Sequence, residues 1–247
     1  MTSYSVNLYR FTDDPAAMVA FYEHLGLRTR VTSDGGGYAL LEAAAGWVAV
    51  HPAATAATVE PGETQLVLLT EDADAAATDL ASRGLDARVW DESYGRQAAV
   101  RTPLGSDVLI NEHQVDLYGY RAHADGAPGP IEVSAIWYSE DFDRDSAWLG
   151  ALGFEQVGYA DDWGRGLTNG RGRVGLHGVD DQHPEPRGET LSVSVGFQTP
   201  EPLDALADRL RAAGYTDARI VTDAAATKVH VTDPDGHEVE IHPLAEG

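Results

Sequence analysis

Residues 21–27 read FYEHLGL and residues 148–154 read WLGALGF. Each opens on an aromatic, continues at helical spacing and closes on Leu-Gly followed by an apolar residue. The two closing glycines, Gly26 and Gly153, stand 127 residues apart. Three further pairs of marks follow in the same order. Leu80–Gly84 resembles Leu210–Gly214 at a separation of 130, and Thr102-Pro103-Leu104-Gly105 resembles Asp233-Pro234-Asp235-Gly236 at 131. Val48-Ala49-Val50-His51 resembles Val174-Gly175-Leu176-His177 at 126. Four ordered matches with nearly constant separation imply a duplicated chain. The halves, residues 1–118 and 131–247, are near the modal size of a domain. Between them, residues 119–130 are rich in Gly and Pro and lack periodicity, as a linker does.

Each half repeats one smaller pattern. Tyr4–Phe11 is rich in strand formers. Asp14-Pro15 opens a helix, with Asp as N-cap and Pro at the first helical position. Met18, Phe21, Tyr22 and Leu25 give that helix one apolar stripe, and Gly26 stops it. Strands at Arg28–Thr32, Tyr38–Ala43 and Trp47–His51 complete a βαβββ unit. The pattern restarts at Thr64–Leu69, with a helix at Asp72–Arg83. The second half predicts strands opening at Glu132–Tyr138 and Glu189–Gln198, helices at Asp141–Leu152 and Pro200–Ala213, and a turn-rich loop at Gly178–Gly188. The fold class is α+β, four βαβββ modules forming two tandem domains with curved mixed sheets around clefts.

Composition excludes several function classes. The chain has 247 residues and a formal charge of −23, which opposes binding to nucleic acid or to an anionic membrane. It has no Cys, so disulfides and thiolate ligands are absent. No stretch approaches the length of a membrane span, and Met1–Arg10 does not read as a signal peptide. These readings imply a cytoplasmic setting. Of the 17 cations, 16 are Arg, and Lys228 is the one Lys; the imbalance reads as genome bias. The run from Gly164 to Arg173 is Gly-rich and basic, and lies between strands, where a hairpin turn is expected.

The Leu-Gly-apolar helix ends, the A-x-x-L-x-x-x-G pattern of the second helix and the final Asp233-Pro234-Asp235-Gly236-x-x-x-Glu240-Ile241 resemble the vicinal oxygen chelate superfamily. That superfamily includes glyoxalase I, extradiol dioxygenases and bleomycin-resistance proteins. The resemblance covers almost the whole chain. It implies a divalent metal held by His, Gln or Glu from the first and last strands of the modules. Counting from the motifs puts Asn7, Gln65 and Leu109 at those positions in the first half, and Ser134, Ser194 and Glu240 in the second. The first set offers two neutral amides and an alkyl group. The second offers one carboxylate and two hydroxyls, a weak set for a transition metal. His177 could add a ligand, although a shift of one residue would turn Leu176 inward instead.

The expectation is therefore a cleft that binds a small organic molecule without the full family metal site. Ligand-binding candidates are Asn7, Tyr9, Gln65, Ser134, Tyr138, His177, Ser194 and Glu240, with Glu240 the candidate catalytic group. No cofactor is expected; if a divalent metal binds, Glu240 and His177 are its candidate ligands. The alternative is a metal-dependent lyase, isomerase or dioxygenase using the second cleft. The net charge favours a neutral or cationic ligand, with Arg10 and Arg96 able to make a pocket locally positive. Fused halves allow a monomer, and a homodimer is the other arrangement.

Overall fold

The computed structural model describes residues 2–55, 59–92, 95–114, 116–179, 191–223 and 226–244. The first module is β1 (Ser5–Thr12), α1 (Pro15–Leu25), β2 (Arg28–Ser33), β3 (Ala39–Glu42) and β4 (Trp47–Pro52). The second is β5 (Thr64–Thr70), α2 (Ala73–Ser82), β6 (Ala87–Glu92), β7 (Gly95–Arg101) and β8 (Asp107–Glu112). A short strand, β9 (Tyr120–Ala122), pairs with β2, so part of the 119–130 segment joins the first sheet. The third module is β10 (Glu132–Ser139), α3 (Phe142–Ala151), β11 (Glu155–Ala160), β12 (Gly164–Thr168) and β13 (Arg173–Gly178). The fourth is β14 (Val193–Thr199), α4 (Leu203–Ala212), β15 (Arg219–Thr222), β16 (Thr227–Thr232) and β17 (Glu238–Pro243).

Helix boundaries follow local chemistry. The Asp14 carboxylate accepts from the Ala17 amide at 3.0 Å, and Gly26 closes α1 in the left-handed region. Asp72 and Asp141 cap α2 and α3 in the same way. The last helix starts at Leu203, three residues later than the pattern suggests. Pro202 is the reason, because a proline drives the residue before it out of helical conformation. The loop expected at Gly178–Gly188 and the expected strand start at Glu189 fall largely on residues 180–190, outside the described residues.

Each half builds one mixed sheet from its eight module strands, and β9 extends the first beside β2. The first runs β2-β3-β4-β1-β5-β8-β7-β6. The second runs β11-β12-β13-β10-β14-β17-β16-β15. The first strands of paired modules lie antiparallel at the middle of each sheet, and each pairs in parallel with the last strand of its own module. Side chains alternate between faces. Val6, Leu8, Leu66, Leu68, Val108 and Ile110 enter the core, as do Val133, Ala135, Trp137, Val195, Phe197, Val239 and Ile241. These form a single cluster that runs through both halves. The opposite, concave faces carry the candidate functional residues.

The halves meet through a repeated contact. The Val6 amide donates to the Arg171 carbonyl at 2.9 Å, and the Val133 amide donates to the Ala45 carbonyl at 2.8 Å. Gly46 and Gly172, the residues that follow those carbonyls, have φ of +87° and +119°. A Cβ on Gly46 would lie 2.8 Å from Val133 Cβ, and one on Gly172 would lie 2.6 Å from Val6 Cβ. Both the backbone conformation and the close approach require glycine. Gly46→Ala is expected to destabilise the protein by at least ~2 kcal/mol, combining left-handed strain with overpacking. Urea unfolding of the variant checks this.

Candidate functional site

The two halves are superposable in register. Asn7 faces Trp47, Tyr9 faces Ala49 and Phe11 faces His51 across β1 and β4. Ser134 faces Arg173, Ile136 faces Gly175 and Tyr138 faces His177 across β10 and β13. Asn7 thus corresponds to Ser134, and His51 to His177. Gln65, opposite Tyr9, corresponds to Ser194, opposite Ile136. The register on the fourth strand is settled: Leu176 is fully buried in the core, and His177 lies on the concave face.

The first concave face is aromatic. The His51 ring lies 4.5 Å from Tyr9, 5.0 Å from Tyr38 and 5.5 Å from Phe11, and Tyr38 abuts Tyr120 edge-on. Asn111 donates to the Tyr9 hydroxyl and accepts from Gln97. Gln65 is held by Glu63 at 2.9 Å. Asn7 is buried, in a cross-strand row with Trp47, Val67 and Leu109. Its side-chain oxygen finds no hydrogen-bond donor among the described residues. Burial lowers the His51 pKa to about 4, so the ring is neutral at pH 7.

The second concave face is polar. Across its middle, one cross-strand row holds Arg173, Ser134, Gly196, Glu240 and His230. Ser194 lies one pleat away, opposite Ile136. The Lys228 ammonium is 2.8 Å from Glu240 Oε1 and 3.1 Å from Asp223. The His242 ring shares a hydrogen bond with Glu240 Oε2 at 3.0 Å. The His230 ring nitrogens stand 3.1 Å from Glu240 Oε1 and 2.7 Å from Glu238 Oε1, off hydrogen-bond directions. Burial pushes the Glu240 pKa up, but the hydrogen bonds from His242 and Lys228 and the lysine charge outweigh it, leaving about 2. Burial opposes the lysine charge in turn, and Glu240 and Asp223 raise its pKa overall. Both groups are ionised at neutral pH. Glu238, His230 and Glu240 form a group whose possible ligand atoms lie within 4.8 Å of one another.

His177 is elsewhere on this face. The Tyr159 hydroxyl and His177 Nε2 lie 3.1 Å apart, and Tyr138 approaches the same ring edge-on. Among the described residues, His177 is outside the group of possible metal ligands around Glu240, which corrects the pairing of His177 with Glu240 as one ligand set. The imidazoles beside Glu240 are His230 and His242. The expectation for Arg10 and Arg96 is also corrected. Arg10 lies on the core side, bonded to Asp233, and Arg96 is paired with Asp74 and Asp91. Among the described residues, the buried cations of the concave face are Lys228 and Arg173. Arg173 ends the basic run read as a hairpin, and its Nε donates to Glu132 at 2.7 Å. Its buried Nη1 finds no acceptor among the described residues.

Sequence reasoning missed Lys228 and His230. Their signal was present. Lys228 and His230 alternate along a strand, across the Asp233–Gly236 turn from Glu238 and Glu240, and Lys228 is the only lysine in the chain.

The family model for the Glyoxalase/Bleomycin resistance protein/Dioxygenase superfamily matches residues 6–110 and again 136–241. The chain belongs to this superfamily. Solved structures agree in fold. Catechol 2,3-dioxygenase shares 12% identity at a TM-score of 0.61, with 100% of this chain and 90% of that one covered. Homoprotocatechuate 2,3-dioxygenase from Arthrobacter globiformis shares 17% at 0.58, covering 100% and 80%. A variant of the enzyme of the same name from B. fuscum shares 17% at 0.58, covering 99% and 71%. Likeness at such identities carries the fold and no activity. No curated protein matches the chain. Among the described residues, no helix is long and apolar enough to cross a membrane.

Proposed function

We propose that the chain binds a small organic molecule on the concave face of its second domain, without the superfamily's metal. One observation carries this reading: the Lys228 ammonium already sits on Glu240, the carboxylate at the family's terminal ligand position. The other counted positions are Ser134 and Ser194, whose neutral hydroxyls are poor ligands for a transition metal. The residues at the implied metal position do not fit a divalent ion. A carboxylate with a pKa of about 2 is also a weak proton acceptor at neutral pH. Glu240 therefore serves better as a fixed hydrogen-bonding anchor than as a general base. The floor between the Glu240 end and the His177–Tyr159 end carries Ser134, Ile136, Gly196 and Ser194, a mixed apolar and polar surface of the kind that orients small ligands.

The chain's net charge favours neutral or cationic molecules over anions at long range. The fused halves supply each other with a buried interface, which favours a monomer.

Elemental analysis and native mass spectrometry of the purified protein test the reading. A retained organic mass without stoichiometric metal is the expected result. Glu240→Ala is expected to weaken retention roughly tenfold or more, the worth of a hydrogen bond to a charged group. Leu109→Ala, on the first sheet, leaves retention unchanged. Stoichiometric divalent metal would instead overturn the metal-free reading in favour of the metal-dependent lyase, isomerase or dioxygenase alternative, toward which the His230–Glu238–Glu240 group points.

A further inference from the structure

We infer that Lys228 is a built-in cation that replaces a divalent ion on the second concave face. This deepens the metal-free reading above and rests on it. The His230, Glu238 and Glu240 side chains bring one nitrogen and two carboxylates close enough to share an ion. His242 adds a second imidazole on the other oxygen of Glu240. Such a group concentrates negative charge and needs a cation. The chain provides its own. Lys228 is 8% exposed, and its ammonium reaches Glu240 and Asp223 within 3.1 Å. A divalent ion bound to Glu240 Oε1 would stand within a few ångströms of that ammonium and be repelled by it.

The replacement has a consequence for the ligand. An ammonium has three N–H donors. Glu240 and Asp223 take two, and among the described residues no acceptor takes the third. The ligand class is a small organic molecule bearing a neutral oxygen acceptor such as a carbonyl or amide, because Glu240 and Asp223 already balance the ammonium and would repel an anion.

Calorimetric titration with Mn²⁺ is the first test. The metal-free wild-type protein is expected to take up no stoichiometric ion. Lys228→Met, which keeps the apolar stem and removes the charge, is expected to bind one Mn²⁺ per chain, roughly a hundredfold or more tighter than wild type. Lys228→Arg keeps a cation and stays metal-free, which separates loss of charge from loosened packing. Adding Glu240→Gln to Lys228→Met abolishes the acquired site. Circular dichroism establishes that each variant is folded. A folded Lys228→Met protein that takes up no Mn²⁺ overturns the inference and leaves the metal-free cleft standing. Stoichiometric Mn²⁺ on wild type overturns both.

The ligand consequence has its own readout. Since Lys228 is the sole lysine, protein labelled with ¹³C-lysine gives one side-chain Cε resonance. Benzamide is expected to shift it with roughly millimolar affinity, as suits so small a probe, and its anionic counterpart benzoate to shift it less. Equal responses, or none, overturn the neutral-acceptor assignment.

Discussion

Arg10→Met is expected to destabilise the protein by ~3–5 kcal/mol, the range for stripping one partner from a buried ion pair. Arg10 lies on the core side of β1 with 3% of its side chain exposed, and Asp233 is fully buried. One guanidinium nitrogen pairs with Asp233, with Asp235 3.5 Å away. The other donates to the Gly62 carbonyl and, at 3.1 Å, to Thr64 Oγ1. Asp233 also accepts from the amides of Asp235 and His237 at 3.0 and 2.9 Å. Burial already raises the Asp233 pKa against the pull of Arg10. Without the guanidinium, that carboxylate must take a proton or remain charged in the core. Arg10→Lys is expected to recover little, because a single ammonium cannot span both sets of partners. Adding Asp233→Asn to Arg10→Met removes the orphaned charge and should return part of the loss. Urea midpoints at pH 7 measure all three. The pair also joins the halves: β1 belongs to the first, and Asp233 opens the turn that aims β17, with Glu238, Glu240 and His242, at the concave face. Loss of retained ligand should accompany loss of stability.

The repeat made most of the fold legible. Constant spacing between Leu-Gly-apolar helix ends fixed the modules, and two-residue alternation put Asn7, Tyr9, Ser134, Tyr138 and Glu240 on the faces where they stand. Counting along motifs worked because the strands of a βαβββ unit keep register with one another. What failed was partner choice. Arg10 shares parity with Val6 and Leu8, so a charge on the core face was visible, but its partner lies 223 residues away. No local pattern connects them. The case of Lys228 is different, since the turn at Asp233–Gly236 brings β16 against β17 within a few residues. A search confined to first and last strands passes over it, because the ligand positions of a metal site do not anticipate a cation supplied by the neighbouring strand.

The pH dependence of stability separates the two halves at one repeated position. His51 and His177 correspond in register, yet their surroundings differ. His177 reaches the Tyr159 hydroxyl, whereas the His51 ring is packed among Tyr9, Phe11 and Tyr38 with a buried Nε2 that has no partner among the described residues. Burial lowers the His51 pKa from 6.5 to about 4. Between those values the unfolded chain binds a proton that the folded protein refuses. The stability contributed by the neutral ring is therefore complete above pH 6.5 and disappears as pH falls toward 4. The loss is about 3 kcal/mol over that interval, at 1.36 kcal/mol for each pH unit. His51→Phe keeps a planar ring among the same neighbours and cannot titrate. It also removes the unpartnered nitrogen, so no loss of stability is expected at pH 7. Urea unfolding of both proteins at pH 7, 6 and 5 gives the comparison. The wild type should lose stability relative to His51→Phe at each step, most of it before the carboxylates begin to protonate. His177→Phe should leave the acid limb in place, because that limb belongs to the buried His51 ring. Parallel pH profiles for wild type and His51→Phe would mean that His51 takes its proton as readily in the folded protein as in the unfolded chain.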